Sequence, residues 1–190
     1  KTKIKINPKY KIINTNTIKK NYSFCSEDIL IYMAWGNLNN YNSVLHLTKE
    51  LPIHYNNIKK LVMCGLKNII VTGTCFEYKK KKGIMRETSK VEPFTNYGKA
   101  KNNLRIKLTK LKQIYKIKMT WVRIFYIFGH FKDNNNLWSQ INKNSRNKIL
   151  EFKMSSGEQY RDYMHVKDLA RHIVFLALKK KNFGIIIIIY

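Results

Sequence analysis

A chain of 190 residues is long enough for one sizeable domain with a real core. It carries 37 Lys+Arg against 11 Asp+Glu, a formal charge of +26, but the lysines run along the whole length and Asn, Ile and Tyr are enriched with them, which reads as compositional bias and argues against a dedicated nucleic-acid face. Cys25, Cys64 and Cys75 have no paired spacing, which excludes a disulfide framework and a zinc signature; no apolar run is long enough to cross a membrane, and a reducing cytoplasm is expected.

Residues 1–26 are polar and basic, contain no glycine, and offer only Lys11–Asn14 as a candidate strand edge. Asp28–Gly36 reads as a buried parallel strand, a short continuous apolar run stopped by glycine. Asn37–Ser43 is a polar loop. A helix starts at Glu50–Pro52, with proline tolerated in the first turn, presents Ile53, Ile58, Leu61 and Val62, and stops at Gly65. His54 rides on it as a surface or satisfied packing residue. Lys67–Thr74 is a second apolar strand, reached by a connection short enough for a βαβ unit. Lys79–Lys82 is a charged loop tip. A long amphipathic helix runs from Tyr97 to about Lys116, with Ala100, Leu104, Leu108, Leu111 and Tyr115 as its stripe.

Thr120–Ile127 is a third apolar strand, stopped at Gly129. Asn134–Asn136 is a loop, Leu137–Asn144 a short helix and Ile149–Met154 a candidate strand. Val166–Leu178 is a helix with Val166, Leu169, Ile173, Leu176 and Ala177 facing inward, and Ile185–Ile189 is a buried strand. Alternating strands and helices call for an α/β fold with a parallel sheet and right-handed crossovers. Such sheets bind ligands at the carboxyl ends of their strands, where Trp35, Thr74 and Tyr126 fall.

The chemistry centres on Asn96–Lys101. Tyr97 and Lys101 are four apart and share one helix face. A nearby ammonium lowers a phenol's pKa, so such a pair can exchange a proton with a substrate hydroxyl. The same spacing recurs at Tyr55/Lys59, Tyr78/Lys82 and Tyr163/Lys167, where surface aromatics beside solvated lysines are the simpler reading. Only Tyr97 opens a helix about twenty residues after a strand ending in a hydroxyl residue, Thr74. Cys75, beside Thr74, reads as a small apolar filler. The histidines (His46, His54, His130, His165 and His172) lack metal-ligand spacing, so no metal site is expected.

Ile69–Tyr78, Glu87, Pro93 and Tyr97–Lys101 resemble the extended short-chain dehydrogenase/reductases, as do Trp121–Gly129 and Gly157–Asp168 in the blocks that follow. The wording resembles the nucleotide-sugar branch, in particular its dTDP-6-deoxy-L-talose 4-dehydrogenase-like group. The resemblance implies a Rossmann-like, doubly wound parallel sheet. By that resemblance the sheet would be incomplete, lacking its first strand and Gly-rich loop. Residues 1–130 would form a partial dinucleotide-binding domain, and 131–190 part of a small substrate domain before returning to the main sheet. It also implies NAD or NADP as cofactor, a nucleotide-sugar substrate and a possible homodimer, with no membrane and no specific nucleic acid.

By the same resemblance, Thr74, Tyr97 and Lys101 are catalytic and Ala34, Trp35, Tyr97 and Lys101 touch the cofactor. Thr74, Tyr126 and Arg161 touch the substrate, Arg161 reaching a diphosphate; Tyr126 stands where relatives often have asparagine. Related 4,6-dehydratases carry an Asp-Glu pair where Cys75 and Phe76 stand, so hydride transfer at the sugar C4 is expected without elimination of water. Relatives commonly have glycine at Lys79, and a positive φ there would strain a lysine. Without a Gly-rich turn, weak dinucleotide binding by these 190 residues is expected, and an inactive relative or a basic nucleic-acid-binding module are the alternative readings.

Overall fold

The structure, a computed structural model, describes residues 23–79, 83–129, 137–149 and 156–189. The expectations for Lys11–Asn14, Asn134–Asn136 and most of Ile149–Met154 lie outside them. The main sheet has four parallel strands in the order β1 (Ile29–Tyr32), β2 (Asn68–Thr74), β3 (Lys118–Ile124) and β6 (Gly184–Ile188). Helix α1 (Leu51–Met63) links β1 to β2, and α2 (Asn96–Tyr115) links β2 to β3. Between β3 and β6 the chain forms β4 (Tyr126–Phe128), α3 (Leu137–Arg146), β5 (Tyr163–His165) and α4 (Val166–Leu178); β4 and β5 pair as a separate two-stranded parallel sheet.

β2 is buried along its whole length, as a central strand covered on both faces must be. Its alternate residues feed two cores. Ile69 and Val71 pack with Met119 and Trp121 against Ile58, Leu61 and Val62 of α1 and Ala100, Leu104, Leu108 and Leu111 of α2. Ile70 and Val122 face Leu169, Ile173 and Ala177 of α4. Each fully buried aliphatic side chain contributes about 1.5–3 kcal/mol, an upper figure because unfolded chains already bury some apolar area.

α2 begins where Thr95 caps it, its hydroxyl accepting from Gly98 N at 3.0 Å, and ends at Lys116 in the left-handed region. α1 is preceded by a π-helical turn, His46–Glu50, which the apolar periodicity did not reveal.

Four expectations need correction. The run Thr120–Ile127 is not one strand: it breaks at Phe125, and Tyr126–Phe128 leaves the main sheet to pair with β5. α1 and α2 lie on one face and α4 on the other while the strand order keeps advancing one way, so the last crossover has the opposite sense to the first two. A long excursion through a second sheet, rather than a simple βαβ loop, makes that possible. In β6 only Ile188 is buried, because the strand forms an edge; Glu87 Oε1 accepts from Ile187 N at 3.0 Å. Lys79 is not among the residues with positive φ and pairs with Glu92 at 3.4 Å, so no strain arises.

Candidate active site

The site lies at the carboxyl ends of β1, β2 and β3, and close backbone approach builds it. β2 ends in Thr74, followed by a 3₁₀ turn, Cys75–Glu77, held by a reciprocal capping box. Thr74 Oγ1 accepts from Phe76 N at 3.3 Å, and Thr74 N donates to Glu77 Oε1 at 2.9 Å. A Cβ on Gly98 would lie 2.1 Å from Phe76 O, so only glycine lets the first turn of α2 settle on this turn. That seating brings the Tyr97 phenol beside Thr74, close enough for the hydroxyl to favour the phenolate. A strap from the Asn37–Ser43 loop completes the placement. Tyr97 N donates to Tyr41 O at 2.9 Å, Asn96 Nδ2 donates to Asn42 O at 2.7 Å, and the Tyr41 and Tyr97 rings stack 5.3 Å apart.

Burial raises the Tyr97 phenol well above its ordinary pKa, and the neighbouring Thr74 hydroxyl only partly opposes this. The expected lowering by Lys101 is therefore corrected: the phenol is held protonated. Lys101, only 2% exposed, is itself brought down to about 7 by burial, with Glu77 pulling the other way. Its Nζ donates to Thr72 O at 2.9 Å, lies 4.3 Å from the Trp35 ring centroid and 5.9 Å from that of Tyr97.

A depressed lysine pKa has a signed consequence. Between about 7 and 10.5 the unfolded chain holds the Lys101 proton and the folded chain does not, so this group makes stability rise with pH across that window. Parent stability relative to Lys101→Met should therefore increase from pH 7 to pH 10 in paired urea titrations. A constant difference would show that Lys101 titrates normally.

Two buried polar clusters support the site. Glu77 is fully buried and receives Arg123 Nε at 2.9 Å and Trp121 Nε1 at 3.0 Å, with Arg105 Nε at 4.0 Å. A Cβ on Gly73 would lie 2.2 Å from Trp121 Nε1 and 2.4 Å from Glu77 Oε1, so glycine makes room for the pair. On the β1 side, Glu50 accepts from Gly36 N at 3.0 Å and Asn37 Nδ2 at 2.7 Å. His54 donates Nε2–H to Glu50 at 3.0 Å, and its Nδ1 accepts from Tyr32 OH at 2.6 Å. Burial disfavours the charged Glu50, yet these hydrogen bonds outweigh it and hold the carboxyl below its usual range; burial likewise lowers His54. His54 is thus a buried clamp and not a surface residue.

The remaining residues sort clearly. Arg161 lies 4.5 Å from the Tyr126 ring centroid and donates to Gln159 at 2.9 Å, while Asp168 pairs with Arg171. His165, not Asp168, caps α4. Burial pushes the Cys75 thiol up to about 11. Ala34 is exposed beyond the end of β1. Glu77, Arg123, Trp121, Glu50 and His46 were not read as site residues. The only available signal was charge or a polar ring inside an apolar strand or helix stripe. Among the described residues no cluster of His, Cys, Asp and Glu could hold a metal, and no helix is long and apolar enough to cross a membrane.

The model of the NAD dependent epimerase/dehydratase family matches residues 32–188. The chain belongs to this family. It is 29% identical over 157 residues to the dTDP-6-deoxy-L-talose 4-dehydrogenase (NAD(+)) of Aggregatibacter actinomycetemcomitans, covering 82% of this chain and 57% of that protein. Solved structures agree in fold. The UDP-glucose 4-epimerase of Thermotoga maritima, with UDP-glucose, superposes at a TM-score of 0.72 and 20% identity, over 83% of this chain and 54% of that one. The UDP-glucuronic acid 4-epimerase of Bacillus cereus, in complex with NAD, does so at 0.71 and 18%, over 84% and 53%. The chain thus spans just over half the length of these relatives, and the sheet is a Rossmann-like one.

For this NAD-dependent family the catalytic end fits the cofactor: a phenol and an ammonium sit one helical turn apart at the carboxyl edge of a parallel sheet. The pyrophosphate end has no such match here, since residues 1–35 contain no glycine to build a close turn.

Proposed function

We propose that the protein is an NAD(P)-dependent oxidoreductase or epimerase acting at the C4 hydroxyl of a nucleotide sugar. The observation that carries this reading is Tyr97 and Lys101 one helical turn apart, with the Lys101 Nζ 5.9 Å from the Tyr97 ring centroid, beside Thr74 at the sheet's carboxyl edge in a chain of this family. When bound, the dinucleotide supplies or accepts the hydride, and Tyr97, Lys101, Ala34 and Trp35 are the residues that would hold its nicotinamide end. A phenol held protonated suits delivery of a proton to a carbonyl oxygen, and the phenolate left behind takes the proton back in the reverse direction. Thr74, beside Tyr97, would fix the substrate oxygen between them. Arg161, spread over Tyr126, presents forked donors suited to a diphosphate. Residues 1–130 would carry the dinucleotide and 131–190 the substrate. Three free thiols fit a reducing cytoplasm, and assembly as a homodimer is part of the same reading.

The test is nicotinamide turnover with a panel of dTDP- and UDP-linked sugars and their 4-keto forms. Net consumption of the reduced cofactor identifies a reductase, and inversion at C4 without net consumption an epimerase. No turnover by a folded protein would favour the inactive-relative reading. Within this scheme Thr74→Val should lower turnover by about 10-fold to 100-fold, the loss of one buried orienting hydrogen bond of about 1–3 kcal/mol. An equal loss from Tyr55→Phe or Tyr163→Phe would move the chemistry to another tyrosine.

A further inference from the structure

Lys101 presents a physical problem. An ammonium that is 2% exposed should have a carboxylate partner, yet among the described residues none lies in salt-bridge range; its one hydrogen bond is to the Thr72 carbonyl. A lysine stem is also long and flexible, and fixing it costs conformational entropy. What covers the ammonium is the indole of Trp35, 4.3 Å away at the ring face. Tryptophan has the strongest ring quadrupole for such a contact, and desolvation strengthens the attraction.

The indole is itself immobilised from two sides. Its Nε1–H donates to His46 Nδ1 at 3.1 Å, and His46, fully buried, answers Asn40 O with Nε2 at 2.9 Å, which fixes one tautomer. Its ring stacks on His54 at 4.6 Å and 22°, and His54 is clamped by Glu50 and Tyr32. The edge of the ring meets Tyr97 at 6.0 Å.

We propose that Trp35, anchored by His46 and His54, is the positioning residue that favours the charged form of Lys101 and aims it beside Tyr97. This role rests on the reading of Lys101 as the cation of the catalytic end. It differs from direct cofactor contact, because the indole acts through the lysine. The titratable groups around Lys101 are Glu77 from the turn after β2, His54 from α1 with Glu50 behind it, and Tyr97 from its own helix. The indole face is the attraction that favours the charged form without adding a charge.

The test uses the 190-residue chain with carbon-13 at lysine Cε, followed by NMR across pH, with Lys101 assigned by its loss in Lys101→Arg. In the parent the Lys101 methylene protons should lie upfield of every other lysine, the ring-current signature of a cation over an indole. Leucine keeps apolar bulk over the ammonium and removes the ring. In Trp35→Leu the signal should return to the common lysine position and its titration midpoint should fall by about one pH unit. His46→Leu, which keeps the indole and frees its anchor, should move the signal part of the way. If Trp35→Leu does not fold, Trp35→Phe decides, with a fall of about half a unit expected. A parent Lys101 signal among the bulk lysines, or a midpoint unchanged in the variant that folds, would overturn the proposal. Neither measurement requires turnover, so its failure is distinguishable from failure of the enzymatic reading.

Discussion

Tyr97→Phe should lower turnover on a nucleotide sugar by about 10²-fold to 10⁴-fold, the usual scale of a lost general acid or base. The substitution deletes one oxygen. The ring keeps its stack on Tyr41 at 5.3 Å, and the helix start keeps Tyr97 N on Tyr41 O, so the fold and the pocket walls stay in place. Thr74 remains tied to Phe76 N and Glu77. Dinucleotide affinity should stay near the parent's, because the loss falls on proton transfer and not on binding. Steady-state kinetics with a separate binding titration distinguish the two. A kcat close to the parent's would remove Tyr97 from the chemistry, whatever happened to KM.

Glu77→Ala should destabilise the fold by about 3–5 kcal/mol, the cost of leaving one partner of a buried ion pair uncompensated. Glu77 and Arg123 are both fully buried, 2.9 Å apart. Without the carboxylate, Arg123 keeps only Tyr78 OH at 2.7 Å and a long contact to Glu87 O, and its Nη2 already has no hydrogen-bond partner among the described residues. Trp121 Nε1 and Thr74 N lose their acceptor at the same time. Glu77→Gln keeps an acceptor and should cost less. Urea unfolding of the three proteins measures this. A loss below about 1 kcal/mol in Glu77→Ala would show that water reaches the cluster. Because Glu77 also closes the turn that carries Thr74, the variant should lose turnover even where it remains folded.

Much of this architecture was legible in the chain. Ile69–Val71 is a continuous apolar run and Met119–Val122 is interrupted only by Thr120, a pattern that suits strands covered on both faces; both are central strands. The stripe of Ala100, Leu104, Leu108 and Leu111 was read at the correct period, and the same residues are buried. Thr74 and Tyr97 stand out in the chain at the end of one strand and the start of the next helix, and the structure places them side by side. The motif order alone carried the family.

Other features could not be read locally. The break at Phe125 is invisible in Ile124–Phe128, which is apolar or aromatic throughout, because leaving one sheet for another is decided by which partner strand is near. The half-exposure of β6 follows from its edge position and not from its isoleucines.

The sequence by itself determined the parallel α/β pattern, the Tyr97/Lys101 spacing and the candidate residues, since periodicity and spacing are properties of the chain. Only the tertiary structure decided how those residues are tuned. It raised the phenol and lowered the lysine, made Glu77 a buried brace, and set Trp35 over Lys101 with two histidines behind it. The reason is physical: a pKa depends on burial and on charges brought together through space, and residues as far apart in the chain as Trp35 and Lys101 meet only when the sheet is assembled.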